Sequence, residues 1–297
     1  MKNIRVIPKL DIKGPNLIKG IQFDGHRVLG TAEQFAEIYY KEGADELIYQ
    51  DTVASLYQRD SLKKIISATA EKVFIPITVA GGIRSLTDIK KLLRAGADKV
   101  AINTAAVDNV NLINKAAKKF GSSCIVSSVE VFKQANGKYE VWKDYGRERT
   151  NIDAIEWAKK VVEFGAGELF VTSINKEGTG EGYDLELINA ISSSVTVPVI
   201  ACGGAGRKEH IKEAASIGNA DAVCAASLFH YNYWKSIDLT KLIKFKDGLR
   251  LGEHIDIGNF DFLLNGYGGK QDLLVDPISI KEAKDIIFSR GNRFLNQ

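Results

Sequence analysis

The sequence has little cysteine, methionine or proline, no surplus of one charge and no long apolar run, and each shortage removes a class of protein. Its three cysteines, Cys124, Cys202 and Cys224, are odd in number, widely spaced and set in apolar stretches. That excludes a disulfide framework or a cysteine zinc site and suits buried thiols in a reducing compartment. Forty Lys and Arg against 37 Asp and Glu leave a net charge of +3, too even for nucleic acid or an anionic membrane as the main partner. No apolar stretch approaches about 18 residues. Met1-Lys2-Asn3-Ile4-Arg5 runs directly into a strand-like segment with no signal peptide, so the expected location is cytoplasmic. The four histidines, His26, His210, His230 and His254, show no metal-ligand spacing, and there is no Ser-His-Asp or P-loop signature. No metal and no cofactor are expected. What remains is ordinary globular composition, 297 residues with 45% hydrophobic and 26% charged, which excludes disorder and collagen and leaves one large domain or two small ones.

Along the chain a short β-branched or apolar run is followed by a longer amphipathic stretch, again and again. Eight such runs read as strands: Arg5–Leu10, Glu46–Asp51, Ile75–Val79, Lys99–Asn103, Ile125–Glu130, Leu169–Ser173, Val197–Cys202 and Ala222–Ala226. Segments such as Ser85–Ala95 and Glu209–Ser216 have the period of helices packed outside a parallel sheet. Eight βα units match the count of a (β/α)8 TIM barrel, with a doubly wound sheet as the structural alternative. The barrel is favoured by an internal repeat. AGGIRSLTDIKKLLRAGADKVAINT (Ala80–Thr104) lies over CGGAGRKEHIKEAASIGNADAVCAAS (Cys202–Ser227), EGADELIYQD (Glu42–Asp51) over FGAGELFVTS (Phe164–Ser173), and KLDIK (Lys9–Lys13) over SVEVF (Ser128–Phe132). The chain therefore reads as two half-barrels, about 1–120 and 121–231, with paired sites expected at the C-terminal ends of the strands.

The Gly81-Gly82 and Gly203-Gly204 pairs close their strands just before a helix, where bare backbone N–H groups and a helix N-terminus converge on a phosphate. A tight left-handed turn would require the same glycines. Each pair has a second element at the end of the next strand, Asn103-Thr104 and Ala226-Ser227, so a ligand with two phosphates at opposite sides of the mouth is expected. Between them the repeat places Asp11 and Glu130, a candidate acid/base pair. The competing reading is two carboxylates that cap helices or pair with lysines. Lys19 lies in a long first loop, Gly14–Gly30, that could cover the mouth as a lid and bring a cation to a phosphate.

At these residues the sequence resembles a known family. IPKLDIK, DELIYQDTVAS, IPITVAGGIRS, GADKVAINTAAV, FGSSCIV, GAGELFVTSINKEGTGEGYDLEL, PVIACGGAG and AASLFHY resemble the cyclase subunits of imidazole glycerol phosphate synthase over residues 4–231. The resemblance implies a lyase of histidine biosynthesis that converts a ribulosyl bisphosphate aminoimidazole intermediate and ammonia to imidazole glycerol phosphate and a carboxamide ribotide. It implies a glutaminase subunit on the N-terminal face of the barrel, with ammonia passing along the barrel axis. Asp11 matches the family's catalytic acid, and Glu130 stands where a second catalytic aspartate is usual. Gly82, Asn103 and Thr104 match one phosphate site; Gly178, Gly204, Ala226 and Ser227 match the other; Lys19 matches the loop lysine. Arg5, Glu46, Lys99 and Glu168 match a ring of charges that gates the ammonia; they also fall at strand starts, where buried charges persist only when paired. A ring that merely closes the barrel floor is the alternative. SIKEAKDIIFSRG (Ser279–Gly291) looks like the family's last helix, which makes residues 232–278 an insertion after strand 8 in a single domain, 1–297.

Three positions depart from the family pattern. Glu130 carries its carboxylate about 1 Å further out than an aspartate, a misplacement that can cost on the order of 100-fold. Glu177 is likewise a longer acid beside the second phosphate. Lys9 stands where a small uncharged residue is common, on the same strand face as Asp11 and placed to pair with it, which disfavours an acid role for Asp11. These departures favour a second reading, an ammonia-conduit subunit that feeds a sugar amidotransferase of surface-saccharide biosynthesis. The related ribonucleotide isomerase, which needs no glutaminase, is disfavoured by the four floor charges.

Overall fold

Strands buried on both faces need apolar side chains on both, which is why the barrel strands read as near-continuous runs rather than alternating ones. The computed structural model describes residues 3–13, 16–21, 24–52, 60–234 and 274–288. In chain order its strands are β1 (Arg5–Lys13), β2 (Asn16–Ile21), β3 (Asp24–Thr31), β4 (Leu47–Asp51), β5 (Ile77–Ala80), β6 (Lys99–Ile102), β7 (Ile125–Lys133), β8 (Tyr139–Lys143), β9 (Glu148–Asp153), β10 (Glu168–Ser173), β11 (Val199–Cys202) and β12 (Ala222–Ala225). The helices are α1 (Ala32–Lys41), α2 (Asp60–Ala70), α3 (Leu86–Arg94), α4 (Thr104–Asp108), α5 (Asn111–Phe120), α6 (Ala154–Glu163), α7 (Leu185–Ser194), α8 (Lys208–Ser216), α9 (Ser227–Trp234) and α10 (Ile280–Phe288).

Among the described residues eight strands, β1, β4, β5, β6, β7, β10, β11 and β12, pair in parallel in that order, and β12 returns to β1. This is the expected (β/α)8 barrel, and each expected run falls on one of its strands. Two antiparallel hairpins are added, β2–β3 after β1 and β8–β9 after β7. They follow the first and fifth barrel strands, so the two halves carry the same addition. The segment expected to be a lid loop is thus largely the β2–β3 hairpin.

The repeated Gly-Ala-Asp segment has a structural job. Asp45, Asp98 and Asp221 each accept a backbone N–H at the start of a neighbouring strand, from Val6, Ile77 and Val199 at 2.8, 2.9 and 2.8 Å. These bonds satisfy amides at the strand starts that the ladder leaves over. Helix starts are equally local: Ser85 accepts from Asp88 N at the head of α3, and Asp153 accepts from Ile155 and Glu156 N at the head of α6.

Alternation along each strand divides two cores. One set of side chains meets the helices; the other, including Ile7, Ile48, Ala80, Ala101, Val126, Phe170, Ile200 and Ala222, fills the barrel interior. Following that inner face along β1 gives Arg5, Ile7, Lys9 and Asp11, charge at both ends and an apolar layer between. The expected insertion, 232–278, lies mostly outside the described residues. Its returning end crosses the strand-end loops: Asp276 N donates to Gly206 O at 2.6 Å, and Ile278 N to Leu228 O at 3.1 Å. The Leu274 carbonyl comes so near that a Cβ on Gly206 would lie 2.5 Å from it. From there α10 packs on α8 and β1, burying Ile280 and Ala283.

Phe170 is the bulkiest side chain of the interior layer, which it shares with Ile7, Ile48, Val126 and Ile200. Phe170→Ala is expected to lower unfolding free energy by about 3–5 kcal/mol, read from denaturant midpoints at unchanged slope.

Candidate active site

β1 and β7 stand four places apart in a ring of eight, so the inner-face residues at their C-terminal ends look at each other across the mouth. Those residues are Asp11 and Glu130, both buried. They lie beside two separate recesses, one on each side of the mouth.

The first recess, of about 90 Å³, is lined by Gly82, Asn103, Thr104 and Glu130, with Arg84 and Arg147 adding positive charge. The second, of about 20 Å³, is lined by Lys19, Glu177, Gly178, Gly204, Ala226 and Ser227. All the expected phosphate residues therefore gather, in the two groups expected. The Gly-Gly pairs turn with both residues left-handed, φ 99° and 65° at Gly81-Gly82 and 92° and 102° at Gly203-Gly204. A side chain there is excluded by contact as well, since a Cβ on Gly81 would lie 2.4 Å from Asp51 O and one on Gly204 would lie 2.0 Å from Gly182 O. The turn needs these glycines, and it leaves bare backbone at the recess. One detail differs from expectation. The helices that begin directly at the recesses are α4 and α9, which follow Asn103 and Ala226, whereas α3 and α8 start several residues beyond the glycines.

Glu130 takes a hydrogen bond from Gly146 N at 2.8 Å. Burial pushes its carboxyl up to about 7, against the pull of the Gly146 amide, Lys9 and Asn103. A carboxylic acid in that range can give up and regain a proton at neutrality. The turn between β8 and β9 delivers this amide: Asp144, Tyr145 and Gly146 all have positive φ, at 52°, 58° and 70°. Asp144 N donates to Thr104 Oγ1 at 3.0 Å, so the same turn touches the first recess. Tyr145 is carried into the mouth, where burial and then Asp11 push its phenol well above the ordinary value.

Asp11 sits in a buried quartet. Lys9 Nζ is 3.2 Å from Asp11 Oδ1 and 3.4 Å from Glu177 Oε1; Lys19 Nζ is 2.6 Å from Glu177 Oε1 and 3.6 Å from Asp11 Oδ2. Burial would lower both lysines, yet the carboxylates win: Asp11 and then Glu177 raise Lys9, while Glu177 and then Asp11 raise Lys19. Burial would raise Glu177, but Lys19 and Lys9 hold it at about 2. The pairing of Lys9 with Asp11 is as expected; the capture of Lys19 by Glu177 is not legible from spacing.

At the opposite end the four floor residues close a ring. Arg5 bonds Glu46 at 2.9 Å and also Glu168, and Lys99 bonds Glu46 at 2.9 Å and Glu168 at 2.8 Å. Signs alternate round the ring, and Thr78 Oγ1 donates to the remaining Glu46 oxygen. Among the described residues no group of His, Cys, Asp and Glu could hold a metal ion, and no helix is long and apolar enough to cross a membrane.

Comparison with known proteins shows the family to which the chain is similar. A family model described as histidine biosynthesis protein matches residues 5–235. The chain belongs to that family. It is 57% identical over 209 residues to imidazole glycerol phosphate synthase subunit HisF of Legionella pneumophila, covering 70% of this chain and 99% of the relative. It is 50% identical over 231 residues to the subunit of the same name from Endomicrobium trichonymphae, covering 78% of this chain and 88% of the relative. The family match ends at 235, so most of the expected insertion lies beyond it.

Within this family fold, sequence reasoning missed the contribution of the β8–β9 turn, namely Tyr145, Gly146 and Arg147. The half-barrel repeat was the available signal, since it equates the segments after strands 1 and 5. A carboxyl raised to about 7 in the folded state stabilises the fold only while protonated: its contribution is complete below the unfolded value and lost as pH rises through 7. Glu130→Gln is therefore expected to abolish a fall of about 3 kcal/mol in unfolding free energy between roughly pH 5 and 8, measured by denaturation across that range.

Proposed function

We propose that this chain is a cyclase subunit of imidazole glycerol phosphate synthase in histidine biosynthesis, a lyase that joins ammonia to a ribulosyl bisphosphate aminoimidazole intermediate and releases imidazole glycerol phosphate and a carboxamide ribotide. The observation that carries the reading is one arrangement: two carboxylates opposed across a barrel mouth, with a glycine-walled recess on each side. A substrate with a phosphate at each end would span the recesses and lay its reacting centre between Asp11 and Glu130. Gly82, Asn103 and Thr104 would hold one phosphate; Lys19, Gly178, Gly204, Ala226 and Ser227 the other. Glu130 would donate the proton to the leaving group and Asp11 would accept one. The altered acid at 130 fits this role, because the longer side chain reaches Gly146 N and is held near neutrality by its burial.

Ammonia would be delivered by a glutaminase subunit docked on the N-terminal face and would enter through the ring of Arg5, Glu46, Lys99 and Glu168. No cofactor takes part, and the chain acts in the cytoplasm. The conduit reading shares the floor ring but needs no working acid, so turnover separates the two.

With the bisphosphate intermediate and ammonium salt at alkaline pH, the purified chain is expected to form imidazole glycerol phosphate. Asp11→Asn should lower kcat by about 100-fold or more; absence of turnover in the parent rejects the cyclase reading. Lys99→Ala should change the ratio of glutamine-driven to ammonia-driven turnover in the assembled enzyme. A ratio equal to the parent's reduces the ring to a floor.

A further inference from the structure

An ammonium buried in a barrel costs several kcal/mol unless carboxylates neutralise it. Lys9, on the inner face of β1, has two such partners, Asp11 Oδ1 at 3.2 Å and Glu177 Oε1 at 3.4 Å. Both carboxylates also face Lys19, which comes from the covering hairpin rather than from the barrel itself. Lys9 and Lys19 both line the second recess, beside Cys202 and Cys224.

We propose that Lys9 is a positioning residue of the second recess, the fixed counter-ion that neutralises Asp11 and Glu177 so that Lys19 can turn to an incoming phosphate. The inference rests on reading that recess as a phosphate site. Two ammonium ions and two carboxylates make the quartet neutral. A phosphate in the recess draws on Lys19, which then leaves Glu177; Lys9 still stands within 3.4 Å of both carboxylates. Without Lys9, Lys19 is the one cation of the quartet facing two buried carboxylates, and the phosphate must compete with both for it. The position that departs from the family pattern thus links the catalytic carboxylate to ligand charge.

The test is binding of inorganic phosphate, followed site by site through the amide resonances of Gly204 for the second recess and Gly82 for the first. It needs no turnover, so failure of the cyclase reading and failure of this inference are distinct results. Lys9→Met is expected to weaken the second-recess Kd by about tenfold or more, leaving the first unchanged, and adding Glu177→Gln should recover most of the loss. A second-recess Kd within about twofold of the parent's, or an equal loss at both recesses, overturns the proposal. Should Lys9→Met alone fail to fold, the charge-balanced Lys9→Met/Glu177→Gln chain is compared with Glu177→Gln. Weaker binding by about threefold or more supports the proposal, and equal binding overturns it.

Discussion

Charge inside a closed barrel has nowhere to go but to opposite charge, and the two ends of this barrel obey that constraint in the same way. The floor holds two cations and two carboxylates, Arg5 and Lys99 with Glu46 and Glu168. The mouth holds two of each again, Lys9 and Lys19 with Asp11 and Glu177. Between the sets lies an apolar layer of Ile7, Ile48, Val126, Phe170 and Ile200. Either set with one member removed would strand a buried charge, a change that costs several kcal/mol, whereas the intact sets approach electrostatic balance. Glu130 stands outside the mouth quartet. It is the carboxyl that burial keeps near 7, and thus the one suited to carry a proton in the reaction.

Period-two alternation converts this constraint into a site. On β1, Arg5 at the floor and Asp11 at the mouth share one face because they lie six positions apart, an even offset, and the residues between them on that face are Ile7 and Lys9. On β7 the same face carries Val126, Ser128 and Glu130. The glycine pairs then end β5 and β11 in left-handed turns that no side chain could adopt without strain. Scaffold and chemistry thus share residues: the turns that end the strands also open the recesses.

Much of this was legible in the sequence. The eight barrel strands were, because burial on both faces makes each one an apolar run with few polar interruptions. The two recess groups were, because the repeat showed Gly-Gly and its following small polar pair twice. The hairpins were not: Asn16–Ile21 and Asp24–Thr31 mix charge, glycine and apolar residues without a dominant period, and their pairing is decided by contact with each other and with β1. Nor was the burial of Lys19 at Glu177, which joins positions 158 residues apart. The Gly-Ala-Asp motif was visible as a repeat, yet its meaning, a carboxylate satisfying an amide at the start of the neighbouring strand, appeared only in three dimensions.

Two recesses flank one pair of carboxylates, and a crystal structure of Asp11→Asn protein with the bisphosphate intermediate bound would show whether a single ligand spans them. One phosphate is expected at Gly82, Asn103 and Thr104 and the other at Gly204 and Ser227, with the reacting centre between positions 11 and 130 and Lys19 turned from Glu177 to phosphate. A ligand held by one phosphate alone, or lying clear of Glu130, would contradict it.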